Sequence, residues 1–463
     1  MSGNAGEATR TRELAEFVAG FSADDLPAAA RERNREVVLD GSGALLAAAN
    51  PAWSTGRLIA GLARDHGGRA EATVVGHGFK TDCVSAALAN GTMGYACDIE
   101  AYHPEAILHP IAVLIPTALA VGEKVGAAGR DFLAAVALGC EVEYRVSMAV
   151  GPAEQYALGF HPSAVCGAFG AAATAAFLLG LEVDAVERAF GLAACQASGL
   201  MAWESDPTGN ARPFQMGMAA RNGVTAALLA GRGFGGPRGI FDAGHTPFRA
   251  FSRSPKPEIL TRGLGTTWQG VLGLKIKPYP CVAFLHPGLD ALLDLVREHD
   301  LGPDDIESLV IRFPRAGVHC IDNNPLRSHS AQYILSVAVV DRKVDVGVIF
   351  VDRRLTEPTL AALSRRVRVE PDDDIGQSFP AAYATVIEVT TRAGTRHVRR
   401  KDHARGTPQE PFREDELVAK FRGLASIVAD PARVDALSAC IDGLPRAGGL
   451  DDLVRLLAAP ART

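Results

Sequence analysis

Closely spaced cysteines are missing from this chain of 463 residues. None of its eight cysteines stands in the C-x-x-C spacing that is typical of structural zinc and iron–sulfur sites. A metal or cluster would therefore need ligands from distant parts of the sequence. Scattered thiols with mostly apolar neighbours also favour a reducing compartment over a framework of disulfides.

Long basic runs and long apolar runs are missing too. No basic run of five or more residues occurs and the formal net charge is -6, which argues against a nucleic-acid partner. Every apolar stretch is interrupted by proline, glycine or charge before it reaches the ~20 residues needed to cross a bilayer. The N-terminus lacks a charged-then-apolar signal pattern. We expect a cytoplasmic protein without nucleic-acid or membrane partners.

The common catalytic sequence motifs are also absent. We find no G-x-S-x-G elbow, no P-loop and no G-x-G-x-x-G directly after a predicted strand. The glycine-rich stretch GRGFGGPRG follows a predicted helix and is interpreted as a connection. The chemistry must therefore be sought in individual ionisable residues.

Two patterns of hydrophobicity divide the chain. From residue 10 to about 272, and again from 405, apolar residues recur three and four apart, which predicts helices. Between them, β-like runs such as SLVIRFP, RRVRVEP and ATVIEVTTRAG alternate with helical segments. We predict a mainly α fold of two domains: a large all-helical domain (1–273 and 405–463) and a smaller inserted α/β domain (274–404). A cleft between such domains is a common small-molecule site.

Two histidine-proline pairs each precede an almost wholly apolar helical segment. His109 and Pro110 end the stretch DIEAYHPEAILHP, and His161 and Pro162 lie in GFHPSAVCG. Proline is favourable in the first turn of a helix, where the free N–H groups and the helix dipole attract an anion. Imidazole has an unperturbed pKa of ~6.5 and exchanges protons near neutrality. We therefore predict two imidazoles around one anionic ligand.

A metal site is the rival interpretation of the first stretch, with His103, His109 and Asp98 as ligands. No i,i+4 histidine pair lies on a predicted helix, and no H-E-x-x-H motif occurs. We accordingly predict no metal.

Cationic side chains lie in loops near predicted helix starts. Arg212, in SDPTGNARPF, can grip a carboxylate with two hydrogen bonds, although a surface ion pair fits the same segment. Lys277, in KIKPYPC, can neutralise a carboxylate. In RSHSAQY, Arg327, His329 and Tyr333 precede or enter a helix, and Arg327 or Tyr333 is expected to face the cleft.

Several segments together resemble the MmgE/PrpD family, which includes 2-methylcitrate dehydratase, cis-aconitate decarboxylase and iminodisuccinate epimerase. In chain order they are NGTMGYACDIE with the following His-Pro, GFHPSAVCGAFGAAATAAFLLGL, ARPFQMGMAARNGVTAALLAGRGFGGP, KPYPC, HSAQY and GTPQEPFREDELVAKF. The resemblance covers nearly the whole chain. It implies a large helical domain, an α/β lid inserted before the C-terminal helices, a homodimer, and chemistry without cofactor or metal.

The resemblance also implies roles for single residues. The expected catalytic residues are Asp98, His109, His161, Lys277 and Tyr333. From the residues themselves we expect Tyr102, His103, Arg212 and Arg327 to bind the substrate. The sequence departs from the family pattern at three places: Arg212 replaces a lysine, Val282 stands where the decarboxylases have a histidine, and the acidic run reads Asp98-Ile99-Glu100-Ala101.

These observations predict a cofactor-independent lyase that acts on a small di- or tricarboxylate, in the manner of a 2-methylcitrate dehydratase. His161 or His109 would take a proton next to a carboxylate, and the other histidine, or Tyr333, would protonate the departing hydroxyl. Lys277 and Arg212 would stabilise the enediolate. Asp98 would orient one imidazole.

Two alternatives remain open at this point. An isomerase of the iminodisuccinate epimerase kind needs two bases on opposite faces of one carbon, but no path for a leaving group. A non-catalytic carboxylate-binding protein would use the same cleft without turnover. Reaction in deuterated water distinguishes the two enzymes, because an epimerase returns labelled substrate of inverted configuration and a dehydratase gives an alkene. Binding without turnover across a panel of substrates would indicate the binding protein.

Overall fold

Helices make up most of the chain before residue 280. The computed structural model describes residues 9–242, 244–350, 354, 356–379 and 382–461. In this first part the helices are α1 (Arg10–Gly20), α2 (Ala28–Ala47), α3 (Ser54–His66), α4 (Cys83–Tyr95), α5 (Ile111–Val125), α6 (Gly129–Val150), α7 (Pro152–Ala157), α8 (Pro162–Leu178), α9 (Val183–Ala194), α10 (Ala211–Gly231), α11 (Pro247–Phe251) and α12 (Gln269–Leu272).

The next region combines helices with a small mixed sheet and is followed by three further helices. The helices of this region are α13 (His286–Glu298), α14 (Val318–Ile321), α15 (Ala331–Asp341), α16 (Val346–Ile349) and α17 (Pro358–Ser364). The strands of the sheet are β3 (Ile306–Phe313), β4 (Val367–Pro371), β5 (Thr385–Thr391) and β6 (Arg396–Lys401). The chain then forms α18 (Glu414–Ala425), α19 (Pro431–Gly443) and α20 (Asp451–Ala458). The prediction of a mainly α protein with a small sheet region is confirmed.

The strands of this sheet run in the order β4-β3-β5-β6. Strand β3 pairs in parallel with β4 and antiparallel with β5. Strands β5 and β6 form the hairpin that the sequence predicts, with a turn at Gly394, whose φ is 86°. Side chains of β5 alternate between buried and half-buried, as expected of a sheet with one face on a core.

The prediction of an entirely helical first region is wrong in one place. Residues Ala72–Val74 (β1) and Phe79–Thr81 (β2) pair as a short antiparallel hairpin. Its turn contains Gly76 and Gly78, with φ values of 71° and 70°, which glycine adopts without steric cost. The strands cover only three residues each, so their alternating pattern is too short to stand out from the helical segments around them.

Three buried apolar clusters form the interior of the described residues. The largest joins side chains of the first helical region with those of α18–α20, and the second joins side chains between Cys281 and Val389. The third is small and joins Met201 and Trp203 to Leu326. Helix α18 packs on α2, which returns the end of the chain to the first cluster. The domain limits at 273/274 and 404/405, and the role of the inserted region as a lid, stay predictions.

Glycines allow the central helices to come close together. A Cβ at Gly217 of α10 would lie 2.2 Å from the Thr92 hydroxyl and 2.4 Å from the Leu88 carbonyl of α4. A Cβ at Gly223 would lie 2.4 Å from the Cβ of Ala171 on α8. Helix α10 therefore packs closely against both α4 and α8, and this brings the start of α10 beside the end of α4 and the start of α8.

No helix in the described ranges combines the length and the apolar character that crossing a bilayer requires.

Candidate active site

The loop between α4 and α5 carries several of the predicted site residues. Asp98 and Ile107 both have positive φ values, 49° and 52°, which are uncommon for residues other than glycine and more so for a β-branched one. Tyr102 exchanges two backbone hydrogen bonds with Lys275, of 2.9 and 2.7 Å. This pairing fixes the loop against the start of the 275–281 segment and brings Lys277 towards Asp98.

Asp98 holds both predicted cations. Lys277 Nζ lies 2.5 Å from Oδ1 of Asp98 and also donates to the Asp98 carbonyl at 3.1 Å, and Arg212 Nη1 donates to Oδ2 at 3.1 Å. Burial alone would raise the pKa of Asp98, but Lys277 and then Arg212 outweigh it and hold the pKa well below its usual range. Asp98 is therefore an ionised counter-ion of the two cations. The prediction that Asp98 orients an imidazole is wrong, because its carboxylate oxygens bond to Lys277 and Arg212.

Two aromatic rings enclose the Arg212 guanidinium. Its Cζ lies 4.5 Å from the ring centre of Tyr95, at the end of α4, and 4.8 Å from that of Trp203, in the short turn Met201–Ser205. A delocalised planar cation stacks well on aromatic faces, which an ammonium does less effectively. The sandwich gives a physical reason for arginine at this position.

His109 pairs with Glu100. Its Nδ1 lies 2.8 Å from Oε1 of Glu100, and its ring packs edge-on against Tyr95 at 4.7 Å. Burial raises the pKa of Glu100 to about 8, a rise that Lys277 opposes. Burial, followed by the charges of Lys277 and Arg212, holds the pKa of His109 well below its usual range. At neutral pH the pair is therefore a protonated carboxyl and a neutral imidazole.

His161 is the N-cap residue of α8 and pairs with Gln215. Its Nδ1 lies 2.9 Å from Oε1 of Gln215. The other end of that amide, Nε2, donates to the Leu200 carbonyl at 2.8 Å, which fixes the oxygen towards the imidazole. Burial and, next, Arg212 lower the pKa of His161 to about 3. The ring lies 6.4 Å from Tyr95, so both predicted imidazoles contact the same tyrosine.

A pocket of about 110 Å³ opens beside this cluster, and Tyr95, Asp98, Arg212 and Arg327 are among its lining residues. Within the described residues, the Tyr95 hydroxyl, Trp203 Nε1 and Arg212 Nε are buried without a hydrogen-bond partner. A buried unpaired donor costs about 1–3 kcal/mol. An oxygen-rich anion would satisfy such donors.

Tyr102 and His103 take up different positions. The Tyr102 ring stacks 6.1 Å from His109, and Lys277 Nζ lies 5.7 Å from its centre, so Tyr102 belongs to the cluster. His103 does not: its Nε2 bonds to the Gln269 carbonyl at 3.0 Å, and its Nδ1 accepts from the Ala106 N–H at 3.3 Å. With both ring nitrogens engaged, His103 has no atom left for a substrate.

Tyr333 and Arg327 share one backbone carbonyl as their partner. The Tyr333 hydroxyl donates to the Ile349 carbonyl at 3.2 Å, and Arg327 Nη1 reaches the same carbonyl at 3.5 Å. Arg327 lines the pocket, as expected of a substrate-binding residue. The hydroxyl of Tyr333 is held by the backbone, so the contacts of this structure give it no part in proton transfer.

No group of three or more histidine, cysteine, aspartate or glutamate side chains among the described residues has a geometry that could hold a metal ion.

Sequence reasoning assigned no role to five side chains of the cluster: Tyr95, Glu100, Trp203, Gln215 and His329. Gln215 follows Arg212 by three residues on α10, so the shared helix face was a usable signal. Glu100 lies in the acidic run that departs from the family pattern. The sequence does not show which carboxyl of that run reaches the histidine. Tyr95 and Trp203 carry no signal beyond being aromatic.

The fold and the site define a mainly α protein with a buried cluster of imidazoles and cations, which reaches the pocket through Tyr95, Asp98 and Arg212. The MmgE/PrpD N-terminal domain matches residues 12–260, and the MmgE/PrpD C-terminal domain matches residues 279–442. The chain belongs to the MmgE/PrpD family, which confirms the resemblance seen in the sequence.

Curated relatives carry the name of one activity within this family. The chain is 27% identical to the cis-aconitate decarboxylase of Aspergillus terreus over 479 residues, covering 98% of this chain and 96% of that protein. It is 28% identical to the cis-aconitate decarboxylase of Mus musculus, covering 83% and 80%. A cis-aconitate decarboxylase-like protein of Aspergillus oryzae is 33% identical over 63% of each chain.

Proposed function

We propose that the protein is a lyase that acts on a small di- or tricarboxylate, and that it removes or adds water next to a carboxylate. The observation that carries this proposal is a pair of neutral imidazoles beside two buried cations. The Nδ1 atom of one imidazole faces an amide oxygen, and the Nδ1 atom of the other faces a carboxyl group. The names of the relatives support action on a carboxylate by a lyase.

His161 is the proposed base. Because Oε1 of Gln215 can only accept a hydrogen bond, Nδ1 of His161 carries the proton and donates it. The lone pair is then on Nε2. That atom has no hydrogen-bond partner within the described ranges, so it is available to take a proton from a substrate carbon.

His109 is the proposed acid. Protonated Glu100 donates to Nδ1 of His109, which leaves the ring proton on Nε2. When His109 gives this proton to a departing hydroxyl, it can accept the Glu100 proton at Nδ1 and stay neutral. Glu100, and not Asp98 as the sequence predicted, would thus set the tautomer of an imidazole.

The proposed step balances as an elimination. His161 takes the proton from the carbon next to a carboxylate, and the electron pair forms an enediolate that Lys277 and Arg212 stabilise. The bond from the neighbouring carbon to its hydroxyl then breaks, the hydroxyl takes a proton from His109, and water leaves. A double bond remains between the two carbons.

Decarboxylation is the second candidate, and the names of the curated relatives favour it. In that reaction an imidazole protonates an unsaturated carbon, the bond to a carboxylate breaks, and carbon dioxide leaves. It needs one proton donor and no base for a C–H bond. Val282 stands where the family resemblance implies a histidine in the decarboxylases, so we rank elimination first.

The region 274–404 is proposed to act as a lid. Lys277 and the pocket residue Arg327 both come from it, whereas His109, His161 and Arg212 come from the helical region. Closure of the region over a bound carboxylate would keep Lys277 at the substrate and exclude water.

The test is turnover with citrate, 2-methylcitrate, cis-aconitate and iminodisuccinate, followed by ultraviolet absorbance and carbon dioxide release. A hydro-lyase interconverts an alkene and a hydroxy acid without releasing carbon dioxide. A decarboxylase releases carbon dioxide, and an epimerase returns inverted, deuterium-labelled substrate in deuterated water. Binding without any turnover across the panel would refute the enzyme proposal.

The first prediction concerns pH and Glu100. As pH rises through about 8, Glu100 loses its proton and becomes an acceptor, so the His109 proton moves to Nδ1 and Nε2 can no longer donate. We expect kcat to fall as pH rises through this range, and we expect Glu100→Gln to lose that pH dependence, because an amide does not titrate. The measurement is kcat from pH 6 to pH 10.

Asp290→Asn is the matched control. Burial also raises the pKa of Asp290, whose carboxyl pairs with the Tyr279 hydroxyl and the Arg405 N–H outside the cluster. This variant should keep the alkaline fall. If Glu100→Gln retained the wild-type profile, the proton relay through Glu100 would be wrong.

A further inference from the structure

His329 lies within the cluster, although its sequence position gave it no role. It precedes α15, and its ring lies 6.0 Å from Trp203, while the ring of His161 lies 5.7 Å from the same indole. Trp203 also stacks on Arg212. His329 is 6% exposed and His161 4%. A third imidazole, contributed by the inserted region, therefore approaches the same group of side chains.

The hydrogen bonding of His329 leaves one ring nitrogen free. Its Nδ1 lies 3.1 Å from the Ser328 hydroxyl. In the part of the chain that the structure describes, Nε2 has no partner. The Ser328 hydroxyl can donate to Nδ1, which leaves the ring proton on Nε2 as a donor.

The surroundings of His329 are those of the proposed carboxylate site. Burial lowers the pKa of His329 to about 3; Arg212 and Lys277 lower it as well, whereas Asp98 opposes them. The ring is therefore neutral at physiological pH. Through Trp203 it also shares the surroundings of Arg212, one of the cations proposed to hold the substrate carboxylate.

We propose that His329 contacts the substrate and donates from Nε2 to one of its oxygens, as a specificity-determining residue. The inference rests on the proposed function, since it places the contact in the same carboxylate site. A substrate held in this way has an oxygen near Trp203, on the side of the site that the inserted region contributes.

Two substitutions separate hydrogen bonding from packing. His329→Leu keeps apolar bulk against Trp203 but has no donor, and we expect kcat/KM to fall by about 10² with whichever acid of the panel the wild type converts. His329→Gln keeps an N–H donor and should restore most of that loss. If packing were the role of His329, leucine would preserve kcat/KM and glutamine would not.

His286→Gln is the control for replacing a buried histidine of this region. Its Nε2 bonds to the Cys281 carbonyl at 3.1 Å, so we expect kcat/KM to change less than threefold. Thermal unfolding of each variant confirms folding. If His329→Leu did not fold, kcat/KM of His329→Met, a more flexible apolar side chain without a donor, would decide, with wild-type kcat/KM for that variant overturning the inference.

The outcomes separate this inference from the proposed function. No turnover by the wild type on any panel acid refutes both. Turnover by the wild type with unchanged kcat/KM in folded His329→Leu refutes the role of His329 alone.

Discussion

Replacement of His161 by alanine is expected to lower kcat by about 10²–10⁴, because a positioned acid or base contributes that factor to proton transfer. The variant removes the imidazole whose Nε2 is free and whose Nδ1 is held by Gln215. Folding should be little affected, since the N-cap of α8 makes no side-chain hydrogen bond to the helix. The measurement is kcat on the best panel substrate, with thermal unfolding in parallel.

Gln215→Leu gives a graded control. This variant keeps the imidazole but removes the acceptor that holds its proton on Nδ1. Loss of such an orienting partner costs about 10–100-fold in activity. A folded His161→Ala protein with wild-type kcat would exclude His161 as the base. An equal loss in both variants would mean that orientation contributes as much as the imidazole itself.

Replacement of Lys420 by methionine is expected to reduce the free energy of unfolding by about 3–5 kcal/mol, as breaking a buried ion pair does. Lys420, on α18, pairs with Asp40 of α2 and donates to the Ile99 carbonyl at 3.0 Å. Burial raises the pKa of Asp40, and Lys420 opposes the rise. Without the lysine, Asp40 would be a buried carboxyl that has lost its ion-pair partner.

Urea unfolding at pH 7 and pH 5 measures this effect. Removal of Lys420 raises the pKa of Asp40 further, so more of its carboxyl is protonated at pH 5 and the loss should be smaller there. Asp40→Asn combined with Lys420→Met should recover part of the stability. Lys343→Met is the control, because its pair with Asp345 is exposed and worth only about 0–1 kcal/mol. Equal losses in the two lysine variants would contradict the prediction.

The helices and the main sheet could be predicted because their signals are local. The segments that follow His109 and His161 are apolar almost all round. Helix α5 begins at Ile111, two residues after His109, and α8 begins at Pro162, directly after His161. The hairpin of β5 and β6 follows from alternating side chains around Gly394. The hairpin of β1 and β2 was missed because three-residue strands carry too few positions to define a period.

The sequence predicts which residues form the site better than it predicts which of them contact each other. Asp98, His109, His161, Arg212 and Lys277 do come together. Which carboxyl meets which base depends on the positive φ of Asp98, which turns its side chain to the two cations and leaves His109 to Glu100. No sequence pattern specifies that turn. The isolation of His103 and Tyr333 likewise depends on backbone carbonyls of Gln269 and Ile349.

Some expectations from the sequence stay predictions. The homodimer, the cytoplasmic location, the absence of a cofactor and the limits of the inserted domain rest on composition, on hydrophobic pattern and on the family resemblance. Gel filtration with light scattering would test the first of these directly.

The position of Asp98 between Lys277 and Arg212 means that the resting protein already contains a stand-in for its own ligand. An incoming acid must offer those cations better geometry than a tethered carboxylate does, so its net affinity reflects only the difference between the two. A simple monocarboxylate, able to do no more than mimic Asp98, would gain little by replacing it. Acids with a second or third anionic group are the ones that this occupied site would select.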